Sequence, residues 1–477
     1  MSRPSDPLRP VHGLSRVSLA AVTALVVYGL GLWVAQSGGL TWTRPLVSAL
    51  ILPALVVGWR MSRGSAEDSG SSPRRPANPW STLEWALCLG AFALFALATQ
   101  LGWNVMSDYV FHWGMKAKRF ALTGGIDYEF LALPWQIHLH PDYPNLLPTL
   151  YAASFVLVGS LDWWAAAPIS ILGWGLFLLA TRALAHDCIP APVPRLLAVG
   201  TLWAGSLAFA MQPMVAGGAD LLIALTLVFG CHGLILPLNP GPERPSSGWR
   251  RDLALGCVAA FGAVSKLEGV PVAATLIALY GLRLWLAAGP GPALKSVLRG
   301  AALPLLVIGY WLVHVRRHEL FVDSNTGGLD WQRLPTVIGG LVEQLVHPVW
   351  HGLPLVLLAL PVLAWTPRLR LPALLLLVQA GFYVYVYLAG PVDTELWIQT
   401  SASRLFFHLI PATALLVIGG LVAEPAQQAP PQQAADGTGT LARDGALQTP
   451  VSGNTSSTER AAFESPASSA TTERACS

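Results

Sequence analysis

The chain has 477 residues, of which 53% are hydrophobic and only 12% charged, with a formal net charge of +3. A soluble domain carries about 25% charged residues, so this composition excludes an ordinary soluble protein and predicts an integral membrane one. The near balance of charge, without a basic block, excludes nucleic acid as a partner.

A bilayer core takes about 20 apolar residues per helix. Apolar runs at 17–36, 45–59, 82–103, 163–181, 196–212, 219–237, 252–265, 269–287, 300–315, 347–366, 371–389 and 404–423 predict an all-α polytopic bundle of about twelve spans. The first run follows Arg3, Arg9 and Arg16 and shows no convincing cleavage site, so it reads as a retained span. Residues 1–79 then form a two-span region with a linker, 80–423 the main transmembrane domain, and 424–477 a tail. The tail is rich in Ala, Ser, Thr, Gln and Pro and is expected to be disordered. The five cysteines have no metal or disulfide spacing. Nineteen tryptophans suit a protein with many interfacial positions.

Lys and Arg in short loops set orientation. Arg60, Arg63, Arg74 and Arg75 share one loop; Arg182 and Arg195 flank a second; Arg244, Arg250 and Arg251 occupy a third. Lys295 and Arg299 mark a fourth, and Arg368 and Arg370 a fifth. With the N-terminus inside, all five face the cytoplasm, provided the run 146–160 does not cross. That run is therefore expected to lie in, or dip into, the outer leaflet.

The longest polar interval before the tail is Ser107–Pro148. On this topology it is extracytoplasmic, with the Gly217–Asp220 turn, Ser265–Glu268, 316–333 and 391–404. Ser107 reads as a helix N-cap and Gly124–Gly125 as its stop. Between them Asp108, His112, Lys116 and Arg119 fall within about 80° on a helical wheel, opposite Val110, Trp113, Ala117, Phe120 and Ala121. One reading is a surface helix with a solvated polar face. The other is a site: a carboxylate that takes a proton, with cations that hold a phosphate.

Farther on, His138, His140, Pro141, Asp142, Tyr143 and Pro144 form a turn that prolines keep from being helical. Asp142 and Tyr143 are candidates to line an acceptor or sugar pocket. His112, His138, His140 and Asp142 together offer ligand types that zinc accepts, without a specific spacing, so no cofactor is expected. Asp127 and Glu129 read as solvated loop charges, and Arg316 and Arg317 as interface anchors. Asp220 opens an apolar run, either as a helix cap or as a second carboxylate in the same cavity. Lys266 and Glu268 interrupt two apolar runs, where ionisable groups are costly and functional by default. Arg404 opens the last span, either snorkelling or binding substrate.

These residues carry a resemblance. Asp108, His112, Trp113, Gly114, Lys116, Ala117 and Lys118, then His140, Pro141, Asp142, Tyr143 and Pro144, resemble the loop of bacterial members of the GT-C superfamily of polytopic glycosyltransferases. Protein O-mannosyltransferases and the aminoarabinose transferase of lipid A belong there. Asp220, Lys266 to Gly269 and Ser401 to Leu405 extend the likeness over 80–423. The acidic pair usual in the mannosyltransferase loop is absent. The resemblance implies an inverting transfer from a polyprenyl-phosphate sugar to a hydroxyl on a lipid, glycan or protein, at the extracytoplasmic face of a bacterial plasma membrane. It implies Asp108 as general base and Lys266 and Arg404 as phosphate contacts. A transporter or flippase of a lipid-linked anion, or a scaffold docking through the loop, are the competing classes. No inverted repeat of the transporter kind is visible.

Overall fold

The structure, a computed structural model, describes residues 12–63, 79–105, 107–210, 216–236, 248–320, 328–348, 352–390 and 393–422, with main chain only at 12–15 and 63. The tail from 424, Arg3, Arg9, Arg74, Arg75, Arg244 and parts of the loops expected at 316–333 and 391–404 lie outside the described residues.

The described residues are helical and contain no β-strand. In chain order they form α1 (His12–Ser37), α2 (Arg44–Arg63), α3 (Pro79–Gln100), a π-turn at Tyr109–Trp113, α4 (Gly114–Thr123), α5 (Tyr128–Leu131), α6 (Leu146–Val158), α7 (Trp163–Cys188) and α8 (Pro192–Ala210). Then come α9 (Asp220–Ile235), α10 (Gly248–Ser265), α11 (Gly269–Ala288), α12 (Pro290–Arg317), α13 (Leu334–Leu345), α14 (Leu360–Trp365), α15 (Arg370–Ala389) and α16 (Thr394–Val422).

Nine of the described helices, α1–α3, α7, α8, α11, α12, α15 and α16, are long and apolar enough to cross a membrane. We read the chain as an integral membrane protein on that ground. Three runs expected to span behave differently. The run 219–237 contains the 16-residue α9, about 24 Å long at 1.5 Å per residue. Residues 252–265 belong to α10, whose first turns carry Arg250, Arg251 and Asp252. Residues 347–366 contain a 3₁₀ segment, Leu353–Ala359, before the short α14.

The run 146–160 forms α6, 13 residues and about 20 Å long, too short to cross. Nine of its residues, from Leu146 to Phe155, are buried within the protein. Trp33 Nε1 of α1 donates to Thr149 Oγ1 at 2.9 Å, and Tyr151 and Ser170 of α7 share a 3.0 Å hydrogen bond. The tryptophans divide between surface and core: Trp59, Trp103, Trp285 and Trp365 are among the exposed ones. Trp33, Trp42, Trp113, Trp174, Trp203 and Trp311 are fully buried and form part of the core.

Arg182 and Arg195 flank the connection between α7 and α8 from within the helices. They lie in α7 and α8, buried, and converge on Glu84 of α3. Arg195 Nε reaches Glu84 at 2.8 Å, Arg182 Nη2 at 3.2 Å and His186 Nε2 at 3.0 Å. A carboxylate with no exposure needs such partners, because an unpaired buried charge is prohibitive. This cluster clamps three helices at one end.

Candidate functional site

The Ser107–Pro148 segment is pinned to the bundle by hydrogen bonds at several points. Gln36 at the end of α1 brackets Ile126, donating to its carbonyl at 2.7 Å and accepting from its amide at 2.8 Å. Trp42 N donates to Gly124 O at 2.7 Å, and Trp311 Nε1 of α12 to Asp142 O at 2.9 Å. Gly124, at φ 71°, closes α4 where the sequence placed the stop.

An isolated parallel bridge joins Val105, just past α3, to Ala216, just before α9. Asp108 and Asp220 follow that bridge in the same direction, so the two acids emerge side by side. Gly217 makes the approach close: it sits at φ 92°, and a Cβ there would stand 2.6 Å from Tyr109 Cβ. Only glycine takes that backbone and leaves that space.

The acids meet two cations from distant parts of the chain. Arg404 of α16 bonds Asp108 Oδ2 through Nη2 at 2.6 Å and Asp220 Oδ2 through Nε at 2.8 Å. Lys266, in the break between α10 and α11, reaches Asp220 Oδ1 at 3.1 Å and Glu268 Oε1 at 2.8 Å. His408, one turn after Arg404, places Nε2 at 3.0 Å from Asp220 Oδ1. An ionised carboxylate only accepts, so Nε2 carries the proton. Nδ1 then accepts from the Tyr383 hydroxyl at 2.5 Å. The break itself is held by Gln379 of α15, which donates to Glu268 O at 3.1 Å. A close approach also tightens it, since a Cβ at Gly269 would lie 1.9 Å from Gly262 O.

Asp220 is thus a hub rather than a cap. It accepts from three side chains and makes no capping bond to its own helix. Three carboxylates (Asp108, Asp220 and Glu268) face two cations (Lys266 and Arg404), so the network carries one excess negative charge when the imidazole is neutral.

The second part of the site adjoins this one. His112 and Lys116 are buried, and Val110, Phe111 and Leu122 are exposed. His112 and Lys116 therefore turn into the protein beside the buried Trp113, Ala117 and Phe120, while Lys118 and Arg119 stay exposed, so the segment has no single polar face. The π-turn at Tyr109–Trp113 also breaks the regular 100° spacing on which the expected single face rested. Lys116 Nζ lies 4.9 Å from the Trp113 ring centroid and 3.4 Å from His140 O. Burial pushes its ammonium down to about 7, against the pull of Asp142. The His112 ring is 5.1 Å from His140 and 6.1 Å from Tyr143. Burial first, then Lys116, His140, Lys266 and Arg404, hold His112 well below the usual histidine range. Neither ring nitrogen of His112 has a hydrogen-bond partner among the described residues, and neither amide atom of the fully buried Asn145 has one.

Of the expected site residues, Asp108, Asp220, Lys266, Glu268 and Arg404 are joined by ion pairs. His112, Lys116, His140, Asp142 and Tyr143 form the adjoining cluster. Arg119 belongs to neither. It is half-exposed and pairs with Asp127 at 2.7 Å. Asp127 is therefore no free loop charge; it also accepts from Phe130 N at 2.9 Å to start α5. His138 turns to Trp135 O at 3.1 Å, and no group of three metal-ligating side chains converges among the described residues.

Sequence reasoning missed His408, Tyr383, Asn145 and Glu84. His408 had a signal: it is ionisable, inside an apolar span, and one turn from Arg404. A separate cavity of about 240 Å³ between α13 and the start of α16 is lined by Thr336, Glu343, Gln344, Glu395 and Gln399. It contains no residue of the ion network.

Comparison of the chain with protein-family models, curated proteins and solved structures gives no match.

Proposed function

We propose that the protein is a membrane glycosyltransferase of the GT-C kind, moving a sugar from a polyprenyl-phosphate donor to a hydroxyl on a lipid, glycan or protein. In this reading the site faces the extracytoplasmic side of a bacterial plasma membrane, and the nine long apolar helices belong to a bundle of about twelve spans. The observation that carries the reading is the contact of Asp108 with Arg404 at 2.6 Å, extended through Asp220 to Lys266. An acid at the start of the π-turn, beside an arginine of α16 and a lysine of the α10–α11 break, is the set that such a transfer requires.

Asp108 is the general base. It accepts the proton of the acceptor hydroxyl as that oxygen bonds the anomeric carbon. The bond from that carbon to the phosphate oxygen breaks on the opposite face, and polyprenyl phosphate leaves with the electron pair. Arg404 and Lys266 supply positive charge where negative charge accumulates on the leaving phosphate. Asp220 holds both cations in place, and His140, Asp142 and Tyr143 line the pocket for the sugar or acceptor. This chemistry requires no metal.

Mass spectrometry of envelope glycans tests the reading, comparing a strain lacking the protein with strains carrying the wild type or Asp108→Asn. Loss of one glycan in the deletion, restored by the wild type and not by Asp108→Asn, supports transfer. An unchanged glycan profile removes it. Full restoration by Asp108→Asn points instead to a carrier of a lipid-linked anion.

A further inference from the structure

We infer that the phosphate of the lipid-linked substrate docks on Arg404, His112 and Lys116, taking the place of Asp108 on Arg404 and so freeing that carboxylate as its substrate arrives. The inference rests on the transferase reading for the substrate's class and departs from it on where the phosphate sits.

Lys266 is poorly placed to receive a phosphate directly. Its ammonium is buried and occupied by both Asp220 and Glu268. Arg404 is differently arranged. Its Nε holds Asp220, whose side chain is 1% exposed; its Nη2 holds Asp108, whose side chain is 31% exposed. Asp108 is the more accessible of the two acids on Arg404, whereas Asp220 is enclosed and also held by Lys266 and His408. An anion arriving from solvent therefore displaces Asp108 before it displaces Asp220. Phosphate presents the same paired oxygens to a guanidinium as a carboxylate does.

The neighbouring groups provide the rest of the site. His112 is 6% exposed, and both its ring nitrogens lack a partner among the described residues. A buried polar group without a partner carries a desolvation cost that a ligand relieves. His112 lies one turn after Asp108, which holds Arg404, and its ring packs 4.1 Å from that of Trp113, over which Lys116 Nζ sits at 4.9 Å. Lys116 is fully buried beside it. These groups leave room for a ligand's negative charge where the Asp220 hub, with its carboxylates already in excess, does not.

The test uses the full-length protein in lipid nanodiscs, with farnesyl phosphate as a short polyprenyl phosphate, farnesol as its uncharged counterpart and inorganic phosphate as competitor. Asp108→Asn removes the competing carboxylate and is expected to bind farnesyl phosphate about tenfold tighter than wild type, the scale of one close charge interaction. His112→Ala and Lys116→Met are each expected to weaken binding by about fivefold or more. Asp108→Ala replaces Asp108→Asn if the latter fails to fold. Competition by inorganic phosphate supports recognition of the phosphate itself, and binding of farnesyl phosphate alone supports recognition of the lipid-linked form. Equal binding of farnesol, or binding no tighter in both Asp108 variants, overturns the inference. Tighter binding in a protein that transfers no sugar keeps the site and removes the transferase reading. Transfer without tightening removes the exchange and keeps the transferase.

Discussion

The carboxylate of Asp108 lies 2.6 Å from Nη2 of Arg404, which ties the exit of α3 to α16, the last described helix. The same guanidinium holds Asp220 at 2.8 Å, so one side chain aligns a partly exposed acid with a buried one. The two acids therefore have separable roles.

Asp220→Asn is expected to destabilise the protein by about 3–5 kcal/mol, because it leaves Lys266 and Arg404 without their shared buried counter-charge. Asp108→Asn is expected to change stability by no more than about 1 kcal/mol, as for a partly exposed pair, while transfer falls by about 10²–10⁴-fold. Thermal unfolding of both variants in detergent, beside a transfer assay, checks the separation. Equal destabilisation by the two would show that Asp108 is part of the same structural hub.

Lys116 gives a pH signature. Its ammonium is held down to about 7 from an ordinary 10.5. Above about 7 the folded chain therefore binds fewer protons than the unfolded one, and wild-type stability rises with pH from about 7 towards 10.5. Below about 7 both states are protonated and the full cost of burying the charge is present. Lys116→Met removes that cost, so its melting temperature should exceed that of wild type most at pH 6 and less at pH 9. A constant difference across that range would place Lys116 in contact with water.

Gly217→Ala tests the alignment of the two acids. The substitution forces an alanine to φ 92° and a Cβ to 2.6 Å from Tyr109 Cβ. A cost of about 1–3 kcal/mol is expected from the strained backbone, with a loss of transfer larger than that of Gly218→Ala. Unaltered transfer would mean that the Val105–Ala216 bridge does not position Asp108.

Glu84→Gln leaves Arg182 and Arg195 buried beside a neutral amide. Destabilisation of about 3–5 kcal/mol is expected, with little effect on substrate binding in the protein that remains folded. A neutral outcome in thermal unfolding would show that water reaches this cluster.

The polar segment was legible because charge is scarce in this chain. Asp220, Lys266, Glu268 and Arg404 stand out in apolar surroundings, where ionisable residues are costly, and Asp108 opens the one long polar interval before the tail. The helical wheel over Asp108–Arg119 was misleading because it assumes a regular helix on a surface. The π-turn shifts the register, so His112 and Lys116 turn inward beside Trp113, Ala117 and Phe120 while Lys118 and Arg119 stay exposed.

By itself the sequence determined a helical, membrane-embedded protein, the place of its polar interval and the inventory of ionisable groups, because hydropathy sums over neighbours along the chain. Only the tertiary structure decided which charges meet. Asp220 became the partner of Arg404, Lys266 and His408, and Glu84 that of Arg182 and Arg195, because ion pairing depends on which helices stand side by side. That arrangement is set by packing between residues far apart in the chain, and no local pattern encodes it.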